Sequence, residues 1–143
     1  MKVLVTGATG FLGQYVVEQL RARGDAVRGL CRRDAPELSA LGVEVVLGDV
    51  TDRAAVVAAC CGVDAVIHTA AIAGIWGRWE TYYATNYLGT KHVIEGCREH
   101  GVDRLVFTGS PSVTFDGSAQ ANVDESAPYP TRWLAHYPHT KAL

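Results

Sequence analysis

The sequence is short of several things that would otherwise direct its reading. No run of about 18 apolar residues occurs, so no segment reads as a transmembrane helix, and membrane insertion is not expected. The Val3-Leu4-Val5 run behind Met1-Lys2 is cut by Thr6 and glycine, too soon for a secretory signal. Four cysteines (Cys31, Cys60, Cys61, Cys97) show neither metal-ligand spacing nor a disulfide framework, and three sit in apolar patterns where buried free thiols are expected. No metal site is expected, and a reduced, cytoplasmic setting fits. Charge of one sign is absent too: the formal net charge is -2, which gives no bulk electrostatic case for nucleic acid or an anionic membrane. Repeats, linkers and low-complexity stretches are missing. What remains is one domain over residues 1–143, 48% hydrophobic and 20% charged, long enough to bury roughly 70% of its unfolded surface.

The most informative stretch is Thr6-Gly7-Ala8-Thr9-Gly10-Phe11-Leu12-Gly13, between an apolar run and a helical pattern. The first N–H groups of a helix lack partners inside it, and the helix dipole favours negative charge there. Gly7 permits a sharp turn, Gly10 lets backbone approach a pyrophosphate, and Gly13 lets helix pack closely on strand. The spacing is Gly-x-x-Gly-x-x-Gly rather than Gly-x-Gly-x-x-Gly, and its place after an N-terminal strand strengthens it.

Strands are expected over 2–6, 26–31, 43–47, 63–68 and 102–108. Helices are expected over 11–23, 36–41, from the Thr51-Asp52 cap to about Cys61, from about Glu80 to His100, and from near Tyr137. In the first helix Leu12, Val16, Val17 and Leu20 are assigned to one apolar face, with Gly24 as the stop. Residues 109–138, rich in Ser, Pro and Gly, read mostly as loop. Short apolar strands alternating with helices predict an α/β fold, a doubly wound parallel sheet in three α/β/α layers. A complete dinucleotide fold of this type uses six or more strands and five are counted, so the pattern reads as one cut before a substrate-binding region.

A second motif lies in Tyr137-Pro138-His139-Thr140-Lys141. Residues four apart share a helix face, which sets an ammonium beside a phenol and favours proton exchange with a carbonyl or alcohol oxygen. Alone, Tyr-x-x-x-Lys is common on surface helices. Joined to the glycine turn about 130 residues earlier, it is far more specific.

With both motifs in place, the chain resembles the extended branch of the short-chain dehydrogenase/reductase superfamily, which includes the NAD-dependent epimerases and dehydratases. Gly48-Asp49-Val50, His68-Thr69-Ala70-Ala71, Asn86-Tyr87-Leu88-Gly89-Thr90 and Phe107-Thr108-Gly109-Ser110-Pro111-Ser112-Val113 match its segments. Narrower similarity, in 73–77, 108–117 and 135–141, points to the 3β-hydroxysteroid dehydrogenase and 2-alkyl-3-oxoalkanoate reductase group. The resemblance implies an oxidoreductase interconverting a ketone and a secondary alcohol on an apolar small molecule. Nucleotide-sugar epimerase or dehydratase is the runner-up, and a cofactor-holding module without turnover a third reading. It implies catalytic Ser110, Tyr137 and Lys141, with Ser112 as the alternative to Ser110. Cofactor contacts are implied at Gly7, Thr9, Gly10, Phe11, Leu12, Gly13, Asp49, Val50, His68, Ala70, Ala71, Asn86, Tyr137 and Lys141. A structural tie is an equal role for Asn86. A homodimer is left open.

The end of the second strand bears on which nicotinamide is used. An acidic residue there holds the adenine ribose of NAD; here Cys31 is followed by Arg32 and Arg33, whose guanidinium groups suit a 2′-phosphate. NADP(H) is therefore favoured and NAD(H) remains possible, since Asp34 could serve instead. Trp76, between glycines in a loop, is the stronger candidate for substrate contact, while Trp79, Tyr82 and Tyr83 are equally expected to pack the long helix. His136 and His139 share no helix face with both Tyr137 and Lys141.

Overall fold

A computed structural model describes all of residues 1–143. Five parallel strands form one sheet: β1 (Lys2–Thr6), β2 (Ala26–Cys31), β3 (Glu44–Leu47), β4 (Ala65–His68) and β5 (Leu105–Phe107), in the order β3-β2-β1-β4-β5. The chain winds outward from β1 to β3, then crosses back over β1 to lay down β4 and β5. The reversal leaves a crevice at the carboxyl ends of β1 and β4, where open α/β sheets bind ligands.

The pleat sends alternate residues to opposite sides, and each side has its own core. Val3, Val5, Val27 and Cys31 point to one layer, where helices α1 (Phe11–Ala22) and α2 (Pro36–Ala40) supply Val17, Leu20 and Leu38. Leu4, Leu30 and Val66 point to the other, met by Val56 and Cys60 of α3 (Arg53–Cys60) and Val93 and Cys97 of α5 (Gly89–Glu99). Cys31, Cys60 and Cys97 are buried free thiols, and Cys61 is an exposed one. The α3 start is fixed by Asp52, whose carboxylate accepts from the N–H groups of Ala54 and Ala55.

Three local readings change. The phase of α1 is set by Gly13, because a Cβ there would collide with the Gly7 carbonyl. Gly13 must face the strand, so the buried stripe runs Gly13–Val17–Leu20 and Leu12 falls off it, 47% exposed. The long helix is not uniform: α4 (Trp79–Tyr82) passes into a π-helical turn (Tyr83–Leu88) before α5. One residue too many is accommodated there, a feature that hydrophobic periodicity does not reveal. The fifth strand is also shorter than expected, three residues rather than 102–108. A 3₁₀ turn (Pro111–Thr114) follows it, and α6 (His136–Ala142) closes the chain. No helix is long and apolar enough to cross a membrane.

The phase of α1 is open to test by urea unfolding. Leu20→Ala is expected to cost about 2–5 kcal/mol. Leu12→Ala, on the solvated side, is expected to stay within about 1 kcal/mol.

Candidate cofactor cleft and catalytic helix

The crevice is a cleft of about 360 Å3. Its floor is Gly7, Thr9 and Gly10 of the turn between β1 and α1. One wall comes from the end of β2 with Cys31, Arg32 and Arg33, another from Gly48, Asp49 and Val50 after β3, and a third from Thr69 to Ile72 after β4. Thr85 of the π-helical turn completes it.

The floor is shaped for an anion. Gly7 has φ +68°, and a Cβ on it would press into the Ala70 backbone. Gly10 N–H donates to the Gly7 carbonyl at 2.9 Å, closing the turn. No side chain caps the first turn of α1 and no acidic residue lies in it. Its free N–H groups therefore face the cleft with the positive end of the helix dipole behind them. A dinucleotide's pyrophosphate fits this floor on geometry alone. Phe11 and Leu12 lie outside the lining, with Phe11 83% exposed.

Arg32 and Arg33 are both exposed at the rim beside the buried Cys31. Asp34 lies outside the lining, and its carboxylate accepts from the Ala35 N–H at 3.0 Å at the entry to α2. On the opposite wall Asp49 accepts from both the N–H and the hydroxyl of Thr51, at 2.9 and 2.8 Å, which fixes its carboxylate at the cleft edge.

His68 does not line the cleft. It is 1% exposed and sits behind the wall, between Thr6 and Thr90. The Thr90 hydroxyl donates to the Asn86 carbonyl at 2.6 Å, so toward the ring it acts as acceptor from Nε2–H, at 3.0 Å. Nδ1 is then the acceptor of the Thr6 hydroxyl at 2.6 Å, while Thr6 Oγ1 accepts from the Ala70 N–H at 3.3 Å. That scheme satisfies every group for a neutral imidazole; if the ring gains a proton, Nδ1–H must donate to Thr6 Oγ1 and the Thr6 hydroxyl hydrogen loses its acceptor. Burial, with a smaller push from the Lys141 charge, lowers the His68 pKa to about 4.

Asn86 is likewise buried, in the π-helical turn. Its side-chain oxygen accepts from the Ile72 N–H at 2.8 Å, and its amide donates to the Ile72 carbonyl and to Thr140 Oγ1, both at 3.0 Å. Thr140 in turn donates within α6, to the carbonyls of His136 and Tyr137. Asn86 thus joins the cleft wall to the helix that carries Tyr137 and Lys141, and the structural tie is visible in its bonds.

Ser110, Tyr137 and Lys141 lie outside the cleft lining, on the turn after β5 and on α6, which pack together, and they do not hydrogen-bond to one another. Ser110 Oγ lies 2.7 Å from Ser112 Oγ, one hydroxyl donating to the other, and also accepts from the Ser112 N–H at 3.3 Å. Tyr137 is half-buried in the first turn of α6. Lys141 is 9% exposed; its ammonium donates to the Thr108 carbonyl at 2.8 Å and stands 4.3 Å above the Phe107 ring. Burial lowers its pKa. Sequence reasoning did not single out Ile72 and Thr85 as lining or Thr6 and Thr90 as the brackets of His68; an apolar loop residue, two helical threonines and a strand-end threonine are too common to be read without the fold.

With the geometry in view, the comparison with known proteins is direct. A model of the 3-beta hydroxysteroid dehydrogenase/isomerase family matches residues 4–143. The chain belongs to this family. It is 43% identical over 145 residues to a 2-alkyl-3-oxoalkanoate reductase of Stenotrophomonas maltophilia, covering 100% of this chain and 44% of that protein. It is 42% identical over 142 residues to a sterol-4-alpha-carboxylate 3-dehydrogenase, decarboxylating, of Bos taurus, covering 97% and 38%. Its fold superposes with TM-score 0.84 and 33% identity on a short-chain dehydrogenase/reductase superfamily protein of Agrobacterium tumefaciens with bound NAD, covering 99% of this chain and 42% of that one. The family member described here therefore spans 36–44% of the length of the curated relatives it matches.

The lowered His68 pKa sets a pH dependence. Between pH 6.5 and about 4 the unfolded chain binds a proton that the folded chain refuses. Stability is then fully present above pH 6.5 and falls as pH drops through this window, by about 3 kcal/mol in all. Urea titrations at pH 7, 6 and 5 are expected to show that slope, and a His68→Gln variant to lose most of it.

Proposed function

We propose that the protein is a nicotinamide-dependent oxidoreductase that interconverts a ketone and a secondary alcohol on an apolar substrate of the 2-alkyl-3-oxo acid or 3β-hydroxysteroid type. One observation carries the reading. A glycine-floored anion cradle and a Tyr137/Lys141 helix are tied to the same end of the sheet through the Asn86–Thr140 bond. The relatives' names support the chemistry, and the NAD in the Agrobacterium structure supports the cofactor class.

Bound in the cleft, a nicotinamide would supply or accept the hydride. The chain's residues do the rest. The α1 N–H groups and Gly10 hold the pyrophosphate, and Asp49 takes the adenine side. Arg32 and Arg33 at the rim favour a 2′-phosphate by charge-assisted bonds, which makes NADP(H) the preferred cofactor over NAD(H). Tyr137 gives a proton from its phenol to the carbonyl oxygen on reduction, and takes it back on oxidation. Ser110 donates a hydrogen bond to the same oxygen where charge develops, with Ser112 Oγ holding its hydroxyl in place. Lys141, a buried ammonium beside the site, binds ribose hydroxyls and keeps positive potential on the Tyr137 side.

Two measurements test this. Calorimetric titration of the protein with NADPH and NADH is expected to show tighter NADPH binding. Replacing both Arg32 and Arg33 by Ala should weaken NADPH about ten-fold and leave NADH nearly unchanged; tighter NADH binding by the parent overturns the preference. Reduction of a 2-alkyl-3-oxo acid by the full protein should fall about 10²–10⁴-fold in Tyr137→Phe, whereas turnover of a UDP-sugar in its place would make the protein an epimerase or dehydratase.

A further inference from the structure

Between the cleft wall and α4 the chain makes a short exposed excursion, Ala73 to Arg78. Its tip carries two large apolar side chains: Ile75 is 69% exposed and Trp76 is 89% exposed. A tip of this kind is ordinarily mobile, yet this one is fixed from below. Tyr82, 2% exposed, donates its phenolic hydrogen to the Trp76 carbonyl at 2.9 Å. The ring packs so tightly under the loop that a Cβ on Gly77 (φ +149°) would stand 2.7 Å from Tyr82 Cε2. The loop's entry is fixed as well, because Asn86 holds both backbone groups of Ile72.

These ties place the tip with respect to the chemistry. Ile72, four residues before Trp76, lines the cleft. On the other side Tyr82 packs edge-on against His136, at 5.8 Å between ring centres, and His136 precedes Tyr137 in α6. An exposed indole held on a rigid stem, between the cleft wall and the Tyr137 helix, has a small loss of freedom on meeting an apolar ligand.

We propose that Ile75 and Trp76 form the contact for the alkyl chain of the substrate, and that Tyr82 is the positioning residue that holds this contact at a fixed height beside Tyr137. This rests on the apolar-substrate reading above and names the part of the chain that would recognise the hydrocarbon. Trp76 covers the chain with its indole face. Tyr82 touches no substrate and acts only through the Trp76 carbonyl.

The test separates this contact from the reaction. Saturated fatty acids from hexanoate to hexadecanoate carry the hydrocarbon without a reducible ketone, and their binding to the full, NADPH-loaded protein is read by calorimetry. Affinity is expected to rise with chain length in the parent protein. Trp76→Ala should weaken hexadecanoate about ten-fold, an effect of the size expected for losing one buried aromatic contact, and change hexanoate and NADPH binding less than two-fold. Tyr82→Phe keeps the ring and loses only the bond to the loop, and should fall between the two. Equal chain-length dependence in the parent and Trp76→Ala, or none in the parent, overturns the proposal. Loss of length dependence in Trp76→Ala upholds it even if no 2-alkyl-3-oxo acid is reduced, in which case the reaction assignment alone fails.

Discussion

One buried line of hydrogen bonds holds the two halves of the site in register. It starts at Thr6, the last residue of β1 before the glycine turn, and passes through both nitrogens of His68 to Thr90. From there it runs through the Asn86 carbonyl and side chain to Thr140 in α6. Every member sits where an unpaired polar atom would be costly, so the chain's partners fix one another's positions. The glycine turn at one end and the helix that carries Tyr137 at the other are thereby joined by one continuous hydrogen-bonded path. A neutral imidazole leaves no donor of the line without an acceptor and carries no charge into the interior, which is why burial of His68 is tolerated.

The layers around that line were largely legible in the residues. Alternation of short apolar runs with amphipathic stretches prescribes a parallel sheet covered twice, and the strands at 2–6 and 26–31 match the observed elements. Gly24 ends α1 with φ +82°, as a helix-stopping glycine should. The phase of α1 was misjudged at Leu12 because apolar spacing alone cannot sense that Gly13 must touch the Gly7 carbonyl. The π-helical turn was illegible for a related reason: Asn86 and Thr90 find partners across the fold in Thr140 and His68, and such long-range bonds leave no local pattern.

The same distinction divides the candidate site. Gly7, Gly10, Asp49, Ala70 and Ala71 are backbone-approach or strand-end positions, and all of them line the cleft. His68 and Asn86 occur within recognisable segments, yet their side chains turn inward to bind protein atoms. Residue type and spacing state that such positions matter; only the packed structure separates a wall from the beam behind it. The aromatic residues follow suit. Trp79 lies against His136 and His139, and Trp133 stacks on His139 at 5.1 Å, so both histidines flanking Tyr137 are held by indoles.

The outer strand has an effect beyond closing the sheet. β5 bonds to β4 alone, and its Val106 and Phe107 remain 59% and 38% exposed. Phe107 stands between the His68 ring, 5.9 Å away, and the Lys141 ammonium. Whatever lies over this edge therefore sets the local dielectric around the one buried cation of the site. Water there screens Lys141 from His68, whereas a hydrocarbon cover would strengthen their repulsion and disfavour a proton on either.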